Sequence, residues 1–145
     1  MSRSVRYSQN VALIDSGPIV ALFNTNDKFH KSTYKFIKSY KGSLFSSWPV
    51  VTEVVYLLSF SIDAQSDFLE WIERGSIQIL DIQLEDLRYI KTRMKKYSDL
   101  SMDLADASLM CIAERQGIER IISIDSDFSI YKTLKGKFLQ NLLKV

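Results

Sequence analysis

Val11-Ala12-Leu13-Ile14-Asp15-Ser16-Gly17-Pro18 is the stretch that decides the fold. Four apolar residues with no polar interruption suit a short strand buried on both faces. The acid that closes them sits at the strand's carboxyl end, where open α/β sheets hold their ligands. Pro18 is tolerated in a helix's first turn, so a short helix, Ile19–Phe23, follows directly. The pattern returns late in the chain, where the apolar run Ile121–Ile124 is closed by Asp125.

Between these two points the apolar spacing switches repeatedly between strand and helix. Lys28–Tyr40 sets Phe29, Tyr34, Phe36, Ile37 and Tyr40 among lysines at near-helical steps, and Gly42 stops it. Leu44–Ser46 is a short strand, and Pro49 starts a helix of nearly unbroken apolar character. Asp63–Arg74 forms a helix with Phe68, Trp71 and Ile72 inward, and Ile77–Ile82 is the next strand. Leu84–Tyr97 is an amphipathic helix, and Asp103–Gln116 is another, ended by Gly117. Arg120–Ile124 is the fourth strand, and Phe138–Leu143 fits a fifth at an edge. This alternation predicts one α/β domain over residues 1–145, with a mainly parallel sheet covered on both faces.

Composition narrows the class without naming a function. At 145 residues the chain is long enough to bury a proper core, and 46% apolar residues suit a globular domain. A net charge of +2 is too small to predict nucleic-acid binding by itself. Its distribution says more: Lys28, Lys31, Lys35, Lys38 and Lys41 form one basic stretch, and Arg88, Lys91, Arg93, Lys95 and Lys96 a second. Either alone reads as a solvated face, but two of them in a chain that also carries an acidic cluster point toward a polyanion. The single Cys111 excludes an intrachain disulfide framework and fits a reducing cytosol, and its apolar neighbours make it a core residue. Met1–Asn10 is polar with no apolar leader, and no stretch is long enough to span a bilayer. The cytoplasm is the expected location, with no membrane partner.

Two further acids complete a set of four. Glu53 is the only charge in the helix behind Pro49, where an ionised glutamate without a partner is costly. Asp106 lies inside the Asp103–Gln116 helix. Carboxylates converging from four segments repel one another unless cations lie between them, so the set implies bound divalent metal and phosphoester chemistry. Each acid also has a plain structural role. Asp15 could cap the helix after it, Asp103 is well placed as an N-cap with Asp106 at the capping-box position, and Asp125 and Asp127 suit a turn.

Ala12-Leu13-Ile14-Asp15-Ser16-Gly17, Thr52-Glu53 in the Pro49–Leu58 helix, Leu104-Ala105-Asp106-Ala107, and Ser123-Ile124-Asp125-Ser126-Asp127-Phe128 together resemble the PIN-domain family. The likeness is greatest to VapC-type toxin ribonucleases, and it runs from Val11 to about Lys132. It implies a three-layer α/β/α sandwich with four or five strands and with the first and fourth strands adjacent. It implies that Asp15, Glu53, Asp106 and Asp125 hold one or two Mg²⁺ or Mn²⁺ ions, with Asp103 as an accessory ligand. Ser16, Ser123 and Asp127 fall at supporting positions, and His30 falls where many relatives carry a histidine. The resemblance also implies an RNA substrate, a homodimer, and a small antitoxin protein that silences the site.

The chemistry expected is hydrolysis by metal-activated water, leaving a 5′-phosphate and a 3′-hydroxyl. Hard oxygen donors suit Mg²⁺ or Mn²⁺, and the chain lacks the Cys/His set of a zinc site. A histidine-pair ribonuclease is excluded because His30 is the only histidine. Two other readings stand behind this one. A receiver-type phosphoacceptor module needs paired acids after the first strand, but Ser16 follows Asp15. A non-catalytic PIN-like binding module has no reason to keep four uncompensated acids.

Overall fold

A computed structural model describes residues 10–145; of the polar start read over Met1–Asn10, residues 1–9 lie outside the described residues. Five strands form one sheet: β1 Val11–Ile14, β2 Ser43–Ser47, β3 Gln78–Leu80, β4 Arg120–Ile122 and β5 Gln140–Asn141. Their order is β3-β2-β1-β4-β5, and every pairing is parallel. Six helices connect them: α1 Ser16–Phe23, α2 His30–Ser39, α3 Trp48–Leu57, α4 Ile62–Glu73, α5 Leu87–Lys96 and α6 Leu104–Gln116. The α/β class and the mainly parallel sheet are as the sequence predicts, with five strands where four or five are expected.

β1 is the centre of the sheet because it can be hidden from both sides. Ala12, Leu13 and Ile14 are wholly buried, and β1 pairs with β2 on one flank and β4 on the other. The chain moves from β1 to β2 to β3 in one direction, then returns across to β4 in the other. Right-handed crossovers therefore put α1–α4 on one face and α5–α6 on the opposite face. α1 lies against α2, α3 and α4, and α5 lies against α6, while the start of α3 also meets α6 beyond the carboxyl end of β2. The reversal between β1 and β4 is a topological switch point, and Asp15 and Asp125 both leave the sheet there.

Several boundaries differ from those read in the sequence, each for a visible reason. β4 stops at Ile122 because an amide side chain takes over the pairing: the Ser123 N–H donates to Asn141 Oδ1 (3.2 Å), and Asn141 Nδ2 donates to the Ser123 carbonyl (2.8 Å). α1 begins at Ser16, three residues early, with Pro18 inside its first turn. The Leu84–Tyr97 helix divides into a 3₁₀ turn, Leu84–Asp86, and α5. Gly42 is no helix cap, since α2 ends at Ser39; a Cβ there would collide with the Asn10 carbonyl oxygen and the Tyr40 ring.

The α3 helix is the largest departure. Its apolar composition suggests full burial, yet only Val50, Val51 and Val54 are buried, Val55 is partly covered, and Trp48, Tyr56 and Leu57 are exposed. Glu53 is consequently half-buried at the helix edge, not isolated in the interior.

A chain of hydroxyls ties the start of α3 to α6. The Val50 N–H donates to Ser47 Oγ (3.3 Å), Ser47 and Ser108 share a 2.6 Å bond, and Ser108 Oγ donates to the Ala105 carbonyl (2.7 Å). Both serines are completely buried. Because Ser108 spends its proton on Ala105, Ser47 is the donor between them. Ser47→Ala removes both a helix N-cap and a buried hydrogen bond, so it should lower unfolding stability by about 2 kcal/mol in urea titration. A loss under a few tenths would mean the hydroxyl chain is energetically idle.

Candidate active site

A cleft of about 400 Å³ opens at the carboxyl ends of β1 and β4. Its wall carries Asp15, Glu53, Asp103, Asp106, Asp125 and Asp127, together with Ser16 and Ser101, and no lysine or arginine is among its lining residues. Three elements set the inner acids. Asp15 follows β1 at the position before α1, Asp106 lies one turn into α6, and Asp125 follows β4 just ahead of the 3₁₀ turn Ser126–Ser129.

Asp15, Asp106 and Asp125 each offer a carboxylate oxygen to one small volume, these oxygens all lying within 4.8 Å of one another. Glu53 and Asp103 stand on the wall of the same cleft but outside this closest group. Of the residues singled out in the sequence, then, three converge tightly and two line their surroundings. Asp15 and Asp106 are buried, whereas Asp125 is exposed, so the group opens to solvent on one side.

The supporting contacts are specific. Ser123 Oγ donates to Asp15 Oδ2 (3.2 Å) and accepts from the Asp125 N–H (3.0 Å), which links the acids of β1 and β4 through one hydroxyl. The Asp127 N–H donates to Asp125 Oδ1 (2.9 Å), and the Ser16 hydroxyl bonds to Glu53. Ser16, Ser123 and Asp127 thus each touch at least one of the acids.

The helix-cap alternatives resolve unequally. Asp15 occupies the N-cap position of α1 but makes no side-chain cap. Asp103 does cap α6, accepting from the Asp106 N–H (2.8 Å), and Asp106 Oδ2 accepts from the Asp103 N–H (3.4 Å). Asp106 thus closes the capping box while its carboxylate also faces Asp15 and Asp125. Asp125 shapes a turn as well, through its bond from Asp127.

Burial and crowding set the protonation of the group. Burial raises the Asp15 carboxyl to about 7; Glu53 and Asp125 push the same way, and the Ser16 amide and Ser123 hydroxyl oppose them. Burial raises Asp106 to about 8, with Asp103 and Asp15 adding repulsion. Glu53 is raised too, by burial and then by Asp103 and Asp125. Acids so close titrate as a set, and at neutral pH this one retains protons.

A divalent cation would remove that cost. Asp15 Oδ1 is buried without a hydrogen-bond partner, a rare condition for a buried carboxylate oxygen. The donors around it are hard oxygens from Asp106 and Asp125, which suit Mg²⁺ or Mn²⁺ better than softer metals. Cys111 is buried in the core, and the His30 Nδ1–H donates to the Ala21 carbonyl (2.7 Å), tying α2 to α1.

Two contributors escaped the sequence reading. The Tyr131 hydroxyl, wholly buried, donates to Asp106 Oδ2 (3.4 Å), and Asn141 holds Ser123 from the edge strand. Nothing local marks either residue. Tyr131 stands among Ile130 and Lys132 like any tyrosine in a loop, and Asn141 is one polar residue in an edge strand.

Comparison with known proteins gives consistent results. A family profile described as PIN domain matches residues 12–134. The chain is 24% identical over 127 residues to "Ribonuclease VapC26" of Mycobacterium tuberculosis (strain ATCC 25618 / H37Rv), covering 86% of this chain and 94% of that protein. Its fold is similar to the crystal structure of M. tuberculosis VapC20, described as a Sarcin-Ricin loop cleaving toxin, with a TM-score of 0.75, 16% identity and coverage of 83% and 93%. It is also similar to VapBC2 from Rickettsia felis bound to a DNA fragment from their promoter, with a TM-score of 0.61, 14% identity and coverage of 90% and 98%.

Proposed function

The chain belongs to the PIN-domain family, and from that membership we propose that it is a Mg²⁺- or Mn²⁺-dependent endoribonuclease and the toxin of a VapBC-type toxin–antitoxin pair. The convergence of Asp15, Asp106 and Asp125 at the switch point carries the reading. The likeness to a protein named Ribonuclease VapC26, spanning most of both chains, supports RNA as the substrate. Among the described residues no helix is long and apolar enough to cross a membrane; the cytoplasm as its place of action is part of the proposal. Residues 1–145 act as one nuclease domain on this reading.

A bound divalent ion supplies an activated water and a counter-charge for the leaving oxygen. The chain's own groups do the rest. Asp15, Asp106 and Asp125 hold the ion, with Glu53 and Asp103 as further oxygen donors on the cleft wall. Ser123 keeps the Asp15 and Asp125 segments in register, Tyr131 restrains Asp106, and Ser16 and Asp127 orient Glu53 and Asp125.

A small antitoxin would silence the site most simply by setting an arginine among the acids, in competition with the metal. The resemblance to VapBC2 and to a toxin–antitoxin complex from Klebsiella pneumoniae supports such a partner. Exposed Tyr56, Leu57, Phe60 and Ile62 at the α3–α4 turn support pairing of two copies, which light scattering tests.

The deciding experiment incubates purified chain with structured and unstructured RNAs in Mg²⁺, Mn²⁺ or EDTA and sequences the ends. Cleavage with 5′-phosphate ends that EDTA abolishes is expected. Cyclic-phosphate ends, or cutting that survives EDTA, would remove the metal-hydrolysis reading.

A further inference from the structure

Resting on the nuclease reading above, we infer that a second groove beside the acidic cleft holds the single-stranded RNA flanking the bond to be cut. This groove, of about 700 Å³, lies along α5. Ile90, Met94 and Leu104 are among its apolar wall residues, and Arg88, Lys91 and Lys95 among its cationic ones. No acidic residue lines it.

Continuity places the groove on the path of a substrate. The segment Ser98–Leu104 is its common border with the cleft: Leu100, Ser101 and Asp103 line the cleft, while Ser98 and Leu104 line the groove. A strand leaving the acids over this segment enters the groove directly.

Electrostatics makes a second surface necessary. The cleft wall is acidic and has no basic lining residue, so any cationic side chains that hold the phosphates beyond the metal site stand outside it. Arg88, Lys91 and Lys95 stand exposed at steps of three and four on α5, a rise of about 10 Å along one face. Arg93 of the same helix does not belong to this row; it is buried against the Tyr89 ring. The lysines of α2 are an alternative cationic face, but no α2 residue lines the cleft or the groove, whereas the α5 cations line a groove that borders the cleft at Ser98–Leu104.

The apolar wall adds a preference. Leu104 is half exposed beside the cations, a surface on which an unpaired base can be covered while its phosphates stay on the rim. Duplex RNA keeps its bases stacked and gains nothing from this wall. Single strands should therefore bind more tightly.

The test measures anisotropy of a labelled single-stranded RNA oligonucleotide in EDTA at several salt concentrations, and cleavage of the same oligonucleotide in Mn²⁺. The variant Arg88→Glu/Lys91→Glu/Lys95→Glu should weaken binding about tenfold or more and flatten the log–log salt slope by about 2. The matched reversal on α2, Lys31→Glu/Lys35→Glu/Lys38→Glu, should change binding by no more than about threefold. Leu104→Ser leaves every charge in place and should weaken binding a few-fold with the salt slope unchanged. Circular dichroism checks that each variant folds, and Leu104→Ser decides the matter if the triple variant does not. An equal loss on the α2 reversal would overturn the assignment. So would intact RNA binding in the groove variants; a changed particle mass beside it would make the groove a protein interface. Groove-dependent binding by a wild-type chain that cuts no RNA would keep the groove as a single-strand RNA site and remove the nuclease reading, so the two fail separately.

Discussion

Asp15→Asn should abolish metal-dependent RNA cleavage, by about a thousandfold or more, while the protein in EDTA melts at or above the wild-type temperature. The two effects have one cause. Asp15 is 4% exposed and its Oδ1 lacks a partner, so an ionised carboxylate there is costly in the absence of a cation. Asparagine keeps the shape and can accept the Ser123 bond through its oxygen. Its amide nitrogen adds a donor close to Asp106 and Asp125 in place of a third repelling charge. Stability then holds or rises while the affinity for a divalent ion falls. RNA cleavage by a nuclease-free preparation and thermal melting in EDTA measure both halves. Unimpaired cutting would remove Asp15 from the chemistry, and a melting point several degrees lower would make it a structural residue.

Metal binding should also become steeply pH-dependent. In the folded chain burial holds Asp15 at about 7 and Asp106 at about 8, well above the unfolded carboxylate value of 3.8. Between the unfolded and folded values the native state therefore binds protons that the unfolded chain has released. Stability of the metal-free protein is highest at the acidic end of that window and falls as pH rises through it. The slope is about 1.4 kcal/mol per pH unit for each proton so held. A divalent ion must displace these protons, so its apparent affinity rises about tenfold per pH unit for each one released.

Melting curves with and without Mn²⁺ across the range from mildly acidic to mildly basic pH test this directly. The stabilisation by Mn²⁺ should be small at the acidic end and largest above the folded values. The same shift at every pH would mean that the ion binds without displacing a proton from these acids. Asp15→Asn should shrink the pH dependence, since one of the titrating groups is gone.

Features of this fold that rest on local physics are legible in the sequence, and those that rest on distant contacts are not. Strands and helices were legible where a run of apolar residues met a turn signal: Val11–Ile14 against Asp15, the helix from Leu104 against Gly117. Boundaries slipped where a tertiary contact ended an element, as the Asn141 amide does at Ile122. The α3 helix shows the limit of composition. Its valines do face the core, but Tyr56 is 75% exposed, and no local pattern separates an apolar face that is covered from one that waits for a partner.

For the candidate site, the residue types and their order along the chain were enough to nominate the acids. A carboxylate directly after a buried strand is a local fact, and so is an acid one turn into a helix behind an N-cap; both follow from neighbours only a few residues away. Distances among those acids are not local. Asp15 and Ser123 lie 108 residues apart and meet because β1 pairs with β4, and Tyr131 reaches Asp106 because its loop folds back over α6. Strand order and helix packing alone decided that Asp15, Asp106 and Asp125 form the tight group, with Glu53 and Asp103 on its wall. Local chemistry chose the side chains, and long-range burial set how close they stand and how many protons they keep.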